Sequence, residues 1–459
     1  MAAQAPAMAS GGTKQLSLMQ IILAASAGTV IEWYDFYIYA SLAVFFGSLF
    51  FPQANPTAGL LLSLATWGAG FVVRPFGAIV FGRIGDLVGR KYAFLVTLSV
   101  MGIATTLTGL VPTYAAIGIL APTFLVLFRL VQGLALGGEY GGAATYIAEN
   151  APDAKRGYYT AWIQTTATVG LLLALLVVLL CRLWLGEETF KAWGWRLPFL
   201  FSALLLIIAM YIRMRLVEAP LFARLKEQGK SSQHPLKESL GSGRNWKMIL
   251  LALFGATSGQ ATVWYTGQFY ALIFLQTQVF PKTDFVGPSV TVAIALALAT
   301  PLFLVFGGLS DRIGRKKVIM AGLLLAAVTY LPIYHAMKAN AGNMPMLVLL
   351  VFIQVIYVTL VYGPIAAFLV EYFPARIRYT SMSLPYHMGN GWFGGLTPVI
   401  AASIAVATHN IYAGLWWPIG TALLSFVVGG LFLPETNKTR IWDEVGGEPV
   451  VAGALTGGE

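Results

Sequence analysis

Two acidic residues lie close together in the first apolar stretch of the chain. Glu32 and Asp35 are three residues apart within residues 18–50, which are otherwise uncharged. In a helix this spacing places both carboxylates on one face. A carboxylate in apolar surroundings either pairs with a cation or holds a proton. The two acids are therefore a candidate proton-binding site, and neutralisation by a neighbouring helix for packing alone is the alternative.

The composition is that of an integral membrane protein. The chain has 459 residues, of which 58% are hydrophobic and 10% are charged, and its mean hydropathy is +0.74. Soluble domains contain about 25% charged residues, so a soluble fold is excluded. Twelve apolar stretches are long enough to cross a bilayer; they lie near 18–50, 57–81, 92–112, 119–148, 158–183, 195–215, 247–280, 286–309, 318–338, 345–372, 379–408 and 411–433.

The distribution of basic residues predicts the orientation in the membrane. The net charge of +10 is compatible with nucleic-acid binding, but 22 of the 29 Lys and Arg residues fall in loops on the side of the N-terminus. This asymmetry follows the positive-inside rule, so we expect a plasma or inner membrane protein with both termini in the cytoplasm and no nucleic-acid partner. The acids of the first stretch argue against a cleaved signal peptide, and we expect a retained helix.

Metal and disulfide chemistry find no support in the sequence. The single cysteine, Cys181, excludes an internal disulfide, and the four histidines have no metal-ligand spacing. No phosphate-binding loop for nucleotides is present, and no nucleophile–histidine–acid set indicates an enzyme. We therefore expect no cofactor and no metal, with the proton as the coupling ion.

Two motifs recur and divide the chain into halves. The segment Gly82–Lys91 (GRIGDLVGRK) returns as Gly307–Lys316 (GGLSDRIGRK) with an offset of 225 residues. A second pattern recurs with an offset of 222, as Glu149, Pro152 and Arg156 and then Glu371, Pro374 and Arg378. Two motifs at nearly one offset predict a parallel repeat of two six-helix bundles. The expected division is a tail at 1–17, a bundle at 18–215, a cytoplasmic linker at 216–246, a bundle at 247–433 and a tail at 434–459.

These motifs resemble those of the major facilitator superfamily, whose signature loop joins the second and third helices. Four further stretches resemble its metabolite:proton symporter family: Ile31–Tyr37, Arg74-Pro75, Arg129–Gly142 and Trp193–Phe199. The resemblance implies an all-α fold of twelve transmembrane helices in two pseudo-symmetric six-helix bundles. It also implies a transporter, and the family includes carriers of α-ketoglutarate, citrate, shikimate, proline and betaine.

The resemblance also implies a cytoplasmic gate made by the signature loops. In the superfamily these loops pair with charges of neighbouring helices and keep the cytoplasmic side closed. Since an acid contributes nothing to positive-inside orientation, Asp86 has a role beyond topology. The expected gate has four residues in each half: Asp86, Arg90, Glu149 and Arg156, and then Asp311, Arg315, Glu371 and Arg378.

The charges inside the apolar stretches suggest how a proton is coupled. At about 1.5 Å per residue, Asp35 lies roughly 25 Å and Arg129 roughly 30 Å from the cytoplasmic ends of their helices. A pair between them is feasible, and it resembles the first-span Asp and fourth-span Arg of sugar–proton symporters. If Arg129 is drawn away, Asp35 takes up a proton, and Glu32 shares or relays it.

A second set of polar residues is the candidate substrate cavity. Arg74 and Glu139 lie at similar heights, so we expect either that they pair or that Arg74 binds a substrate carboxylate. Polar and aromatic residues of other helices are expected to line the cavity, namely Trp33, Tyr34, Tyr37, Gln164, Gln260, Tyr265, Gln268, Tyr357, His387 and Asn390.

These features favour uptake of a small carboxylate-containing metabolite, an organic acid or a zwitterion, together with protons. The two halves are expected to alternate access around the cavity, and the chain is expected to act as a monomer in the bilayer. A proton-driven exporter of drugs or metabolites is the alternative. A non-transporting nutrient sensor is a further one, although the cytoplasmic segments are short for a signalling domain.

Overall fold

The computed structural model describes residues 18–52, 55–87, 90–214, 235–281, 284 and 286–443, apart from some side chains within these ranges. Its described part is built from helices, which form twelve rods, and contains no strand. Nine of the described helices are long and apolar enough to cross a membrane by length and composition. The all-α fold and the number of rods agree with the sequence-based expectation.

The first six rods form one bundle. Their bounds are α1 (Leu18–Ser41, continued by Ala43–Phe50), α2 (Pro56–Val72 and Arg74–Leu87), α3 (Arg90–Leu110), α4 (Leu120–Gly137 and Tyr140–Asn150), α5 (Arg156–Leu185) and α6 (Arg196–Met214). Short helices lie between them at Tyr114–Ile117, Asp153–Lys155, Glu187–Thr189 and Phe190–Gly194.

The second bundle follows a short helix at Pro235–Leu240. Most of the expected linker lies outside the described residues. The remaining rods are α7 (residues 243–279, with π-helical turns at Leu253–Thr257, Thr266–Tyr270 and Leu275–Val279), α8 (Val286–Ala299 and Leu302–Ile313), α9 (Arg315–Ala339), α10 (Met344–Tyr362 and Ile365–Tyr372), α11 (Arg378–Met388, a π-helical Gly389–Gly395 and Thr397–Ala407) and α12 (Trp416–Phe432).

The internal repeat is visible in where the helices break. Helix α4 is interrupted at Gly138 and Glu139, and α10 at Gly363 and Pro364, which is within three residues of the position expected from the offset of 222 between Glu149 and Glu371. Pro364 has no N–H to donate, which accounts for the break in α10. The repeat therefore extends from the loop motifs to the geometry of the rods.

The two bundles meet along pairs of helices that the repeat relates. In the first bundle α1 packs against α5 and α2 against α4, while α5 contacts α8 and α2 contacts α11 across the interface. Small residues allow the close approach of α2 and α4, since a Cβ atom added to Gly133 would lie 1.8 Å from the carbonyl oxygen of Gly70.

The two ends of the molecule differ in how the bundles meet. We call the end that holds the turn at Gly314 the signature end, and the opposite end the far end. At the far end, a cavity of about 700 Å³ opens between the bundles. It is lined by the ends of α1 and α2 and, from the second bundle, by the ends of α7 and α11, with Val44, Gly47, Tyr270, Thr277, Ala402 and Val406 among the lining residues.

Candidate functional site

Asp35 lies in the middle of α1 and is completely buried. One carboxylate oxygen accepts a hydrogen bond from the hydroxyl of Ser202 on α6, whereas the other has no hydrogen-bond partner among the described residues. Because Ser202 donates a neutral hydrogen bond, it leaves the charge of the carboxylate uncompensated. A buried acid in this setting is suited to hold a proton.

Arg129 on α4 is an electrostatic neighbour of Asp35 but does not bind it in this structure. Its Nη1 donates to the carbonyl oxygen of Phe36 at 3.2 Å, and its guanidinium carbon lies 4.4 Å from the centroid of the Tyr39 ring. The structure thus brings the two residues of the expected pair into one region without an ion pair. A backbone carbonyl and a ring face occupy the arginine instead.

Glu139 pairs with an arginine that sequence reasoning missed. The Nη2 atom of Arg213 on α6 contacts Glu139, and the same atom lies 2.9 Å from Oε1 of Glu32. Thr29 also donates to Glu139, at 3.4 Å. The expected pair of Arg74 and Glu139 is therefore wrong for this structure, because the carboxylate of Glu139 is bound by Arg213 instead.

Arg213 was overlooked because of its position in the sequence. It lies in the last turn of α6, next to the basic linker, where arginines normally set orientation. In the structure its side chain is buried and turns inward against Gly28, where an added Cβ would lie 2.6 Å from its Nε. The only sequence signal was an imbalance, since three embedded acids faced two embedded arginines.

Arg74 opens the second segment of α2 and is buried at the interface of the bundles. None of its three guanidinium nitrogens binds a carboxylate in the described part of the chain, and the hydroxyl of Tyr265 is its nearest polar group. Its guanidinium carbon lies 5.5 Å from the ring centroids of both Trp33 and Phe71. Tyr265 and His387 of the second bundle are electrostatic neighbours. The arginine is thus held by aromatic faces and is available to an anion.

Aromatic rings from both bundles surround this arginine. Trp33 stacks on Tyr37 with 5.1 Å between ring centroids, and Tyr37 stacks on Trp264 of α7 at 5.5 Å. A further cross-bundle stack joins Tyr140 and Tyr386 at 3.5 Å. Most of the expected cavity residues therefore lie at the interface of the bundles.

The polar members of the expected cavity have different partners. Gln260 and Asn390 exchange hydrogen bonds within the second bundle, at 3.3 and 3.5 Å. The amide nitrogen of Gln164 donates to the Tyr140 hydroxyl at 2.6 Å, and Thr168 donates to the carbonyl oxygen of Gln268 at 3.4 Å. These contacts fix the amides around the interface.

Two expected cavity residues point elsewhere. The hydroxyl of Tyr34 donates to the carbonyl oxygen of Pro198 on α6 at 2.7 Å, and the hydroxyl of Tyr357 accepts from Thr329 on α9 at 2.9 Å. Both tyrosines therefore bind a helix of their own bundle. The expectation that they line the cavity is wrong in this structure, because periodicity alone did not fix the face of the helix.

At the signature end, charged residues connect the bundles. Both oxygens of Asp311 accept from the first backbone amides of α5, Gly157 at 2.8 Å and Tyr158 at 2.9 Å. Nη1 of Arg156 lies 3.0 Å from Oε1 of Glu371, and so does Nη2 of Arg315. The second bundle thus caps α5 and neutralises its first residue.

The expected gate residues are only partly described. The side chains of Asp86 and Arg90 lie outside the described part of the chain. Arg378 donates to the carbonyl oxygen of Phe373 at 3.0 Å, and Glu149 is buried. The structure brings Asp311, Arg315 and Glu371 together as expected and adds Arg156 of the first bundle to them.

The segment after α12 joins this cluster. Glu435 accepts from the backbone amide of Arg315 at 2.6 Å, and Thr436 donates to Glu371 at 2.8 Å. Gly314 has a φ of 112°, and an added Cβ would lie 2.1 Å from the Glu435 carboxylate, so only glycine fits this turn. Arg156 also donates to the carbonyl oxygen of Thr439 at 3.0 Å.

The described residues form twelve helical rods in two repeated bundles, with buried charges at their interface. This arrangement is the one expected for a multi-pass membrane transporter of the major facilitator superfamily. The profile of the sugar (and other) transporter family matches residues 21–442. The chain therefore belongs to that family.

Characterised relatives extend over most of the chain. The inner membrane metabolite transport protein YhjE of Escherichia coli K12 is 37% identical over 389 residues, which cover 83% of this chain and 87% of the relative. The shikimate transporter of Escherichia coli K12 is 33% identical and the citrate-proton symporter of Salmonella typhi 31% identical; they match 90% and 96% of this chain and 93% and 99% of their own lengths.

The fold is also found among solved structures. The xylose transporter XylE from E. coli, in a partially occluded inward open conformation, aligns with a TM-score of 0.71 and 19% identity. The alignment covers 92% of this chain and 99% of the other. At this identity the likeness establishes the fold alone.

Proposed function

We propose that this chain takes up a small carboxylate-containing metabolite together with a proton, by alternating access of its two bundles. The observation that carries this proposal is Arg74, a buried guanidinium without a carboxylate partner among the described residues at the bundle interface. A buried cation without a counter-ion is costly in a membrane protein, so a site of this kind favours an anionic ligand. Relatives named as shikimate and citrate transporters support a carboxylate.

The contacts at the two ends support alternating access. Charged residues connect the bundles at the signature end, beside an open groove of about 830 Å³ between α5 and α8, and a cavity of about 700 Å³ lies between the bundles at the far end, where no ion pair between the described residues joins them. We propose that the signature end faces the cytoplasm and that the far end faces outward in the inner membrane, in agreement with the positive-inside rule. Rocking of the bundles would then break the cluster at Glu371 and close the far cavity.

Asp35 is the proposed proton carrier. It is buried next to Arg129 and bound by Ser202, so a small movement of Arg129 would exchange the partner of the carboxylate. Without the arginine the carboxylate favours a proton, and with the arginine it favours the charge. Glu32 lies one helical turn nearer the signature end, and its contact with Arg213 makes it a candidate for proton release on that side.

The proposal can be tested in proteoliposomes that contain the purified protein. Carboxylates that raise the melting temperature of the protein are supplied outside, with and without an inward proton gradient. We expect accumulation that depends on the gradient and is abolished by an uncoupler. Accumulation that depends neither on the proton gradient nor on the uncoupler would contradict symport. Efflux driven by the proton gradient would support the exporter alternative.

The role of Arg74 is tested by substitution. Arg74→Lys retains the charge but loses the planar, multidentate donor set, so we expect at least a tenfold weaker substrate affinity. Arg182→Lys is the matched control, because Arg182 is also a buried arginine but lies at the far end of α5, 2.6 Å from Glu187. Unchanged affinity in Arg74→Lys would remove Arg74 from the site.

A further inference from the structure

We infer that the substrate has a single carboxylate and an otherwise uncharged body that carries hydroxyl or carbonyl oxygens. This inference rests on the proposed function and narrows its substrate class. It is carried by three properties of the interface around Arg74: the number of available cations, the unpartnered donors, and the direction and partners of the two acids of α1.

The interface offers one cation to a ligand. Arg129 donates to the carbonyl oxygen of Phe36 and lies over Tyr39, while Arg213 is held by Glu32 and Glu139. Arg129 keeps two nitrogens without a hydrogen-bond partner, but its electrostatic neighbours are Asp35 and Tyr39 of the first bundle. Those of Arg74 include Tyr265 and His387 of the second bundle, so Arg74 is the cation at the interface. A second carboxylate on the ligand would enter this apolar region without a counter-charge, which would weaken binding.

The other unpartnered groups near the interface are mostly donors. Trp264 and Gln268 each have an unpartnered N–H donor, the hydroxyl of Tyr37 can donate or accept, and a neutral His387 ring has one donor and one acceptor nitrogen, all on buried side chains. A buried donor without an acceptor is destabilised, so a ligand that brings acceptor oxygens gains these bonds on binding. Hydroxyl and carbonyl groups provide such oxygens.

A ligand ammonium group would find no matching partner here. Asp35 is two residues from both Trp33 and Tyr37, which places it about 160° away from them around α1, toward Ser202. Glu32 is engaged by Arg213. The ring faces that could hold a cation are occupied as well, since Arg74 covers Trp33, and Tyr37 stacks on Trp264. An amino acid or betaine would therefore lose the hydration of its cation without compensation.

Matched ligands test the inference directly. Binding to the purified protein is measured for two series, lactate with alanine and malate, and shikimate with proline, glycine betaine and citrate. Each series compares an uncharged body with an added ammonium or added carboxylates. We expect a dissociation constant at least tenfold lower for lactate or shikimate than for any charged counterpart of its series.

The outcomes separate this inference from the proposed function. Proton-coupled uptake of citrate, proline or betaine, with binding as tight as that of shikimate, would overturn the single-carboxylate inference and leave the symport proposal intact. If no carboxylate of either series binds or is taken up, the inference and the proposed substrate class both fail.

A donor-specific variant gives a second readout. Trp264→Phe removes the indole N–H and keeps an aromatic ring, so we expect the affinity for lactate to fall roughly three- to tenfold while that for propionate is unchanged. Trp195→Phe is the control, because Trp195 is also buried with an unpartnered indole but packs among Phe46 and Phe50. If Trp264→Phe lowers the affinity for lactate and for propionate equally, the indole N–H does not form a hydrogen bond with the hydroxyl of lactate.

Discussion

Replacement of Arg156 by methionine should open the signature end. Arg156 belongs to the first bundle, and its Nη1 lies 3.0 Å from both Glu371 and the carbonyl oxygen of Thr439 in the second. Glu371 retains Arg315 and Thr436 after the substitution, and the carboxylate that loses its cation, Asp153, is partly exposed to solvent. Arg156→Met therefore removes contacts between the bundles and, within the first bundle, one partly exposed pair with Asp153.

The magnitude follows from the contacts that are lost. A hydrogen bond between charged groups contributes about 1.5–3 kcal/mol. Since about 1.4 kcal/mol corresponds to a factor of ten, losing one such bond should lower the ratio of closed to open signature ends by roughly 10- to 100-fold. The bond to Thr439 adds to this effect, so the upper part of the range is expected.

The assay is a distance measurement between spin labels at the signature end. Labels at Ala154 and Arg312, which are exposed and lie on different bundles, report the separation after Cys181 is replaced by serine. We expect Arg156→Met to shift the distribution to longer distances. Arg182→Met, a buried arginine of the same helix whose partner Glu187 is in its own bundle, should leave the distribution unchanged.

Two results would refute this reasoning. If Arg156→Met keeps the parent distance distribution, the cross-bundle contacts do not hold the signature end closed. If Arg182→Met lengthens the distance as much as Arg156→Met does, the change reflects loss of any buried arginine and has no relation to the interface.

Three other substitutions have expected outcomes. Arg213→Met leaves two buried carboxylates without their cation and should lower the free energy of unfolding by about 3–5 kcal/mol, measured by denaturant titration; a loss below 1 kcal/mol would contradict the ion cluster. Gly133→Ala should prevent stable insertion or folding, because its Cβ would lie 1.8 Å from the Gly70 carbonyl oxygen, and a normal melting temperature would argue against this packing. Asp35→Asn should abolish proton-driven accumulation but allow substrate exchange between equilibrated compartments, whereas retained accumulation would assign the proton elsewhere.

The sequence identified the embedded charges but not all of their partners. Glu32, Asp35, Arg74, Arg129 and Glu139 stand out because a charge inside an apolar stretch is visible without any neighbour. Their partners are distant in sequence: Ser202 is 167 residues from Asp35, and Arg213 is 74 residues from Glu139. Height along a helix can be counted from the sequence, whereas the direction of a side chain around the helix depends on how the rods pack.

The gate shows the same division between sequence and structure. The repeated motifs located Asp311, Arg315, Glu371 and Arg156, and the resemblance supplied pairs within each half. The structure placed Arg156 of the first bundle on Glu371, 215 residues away. An internal repeat identifies equivalent positions in the two bundles. It does not predict which of these residues are in contact across the interface between the bundles.

The sequence by itself determined the class of protein, the twelve rods, their division into two bundles and the charges buried in them, because hydropathy, charge and repetition are properties of the chain. Only the tertiary structure decided that Arg213 neutralises Glu32 and Glu139 and that Arg74 is left available. That outcome depends on which arginine side chain lies within contact distance of each carboxylate. The packing of the helices determines this, and the sequence does not.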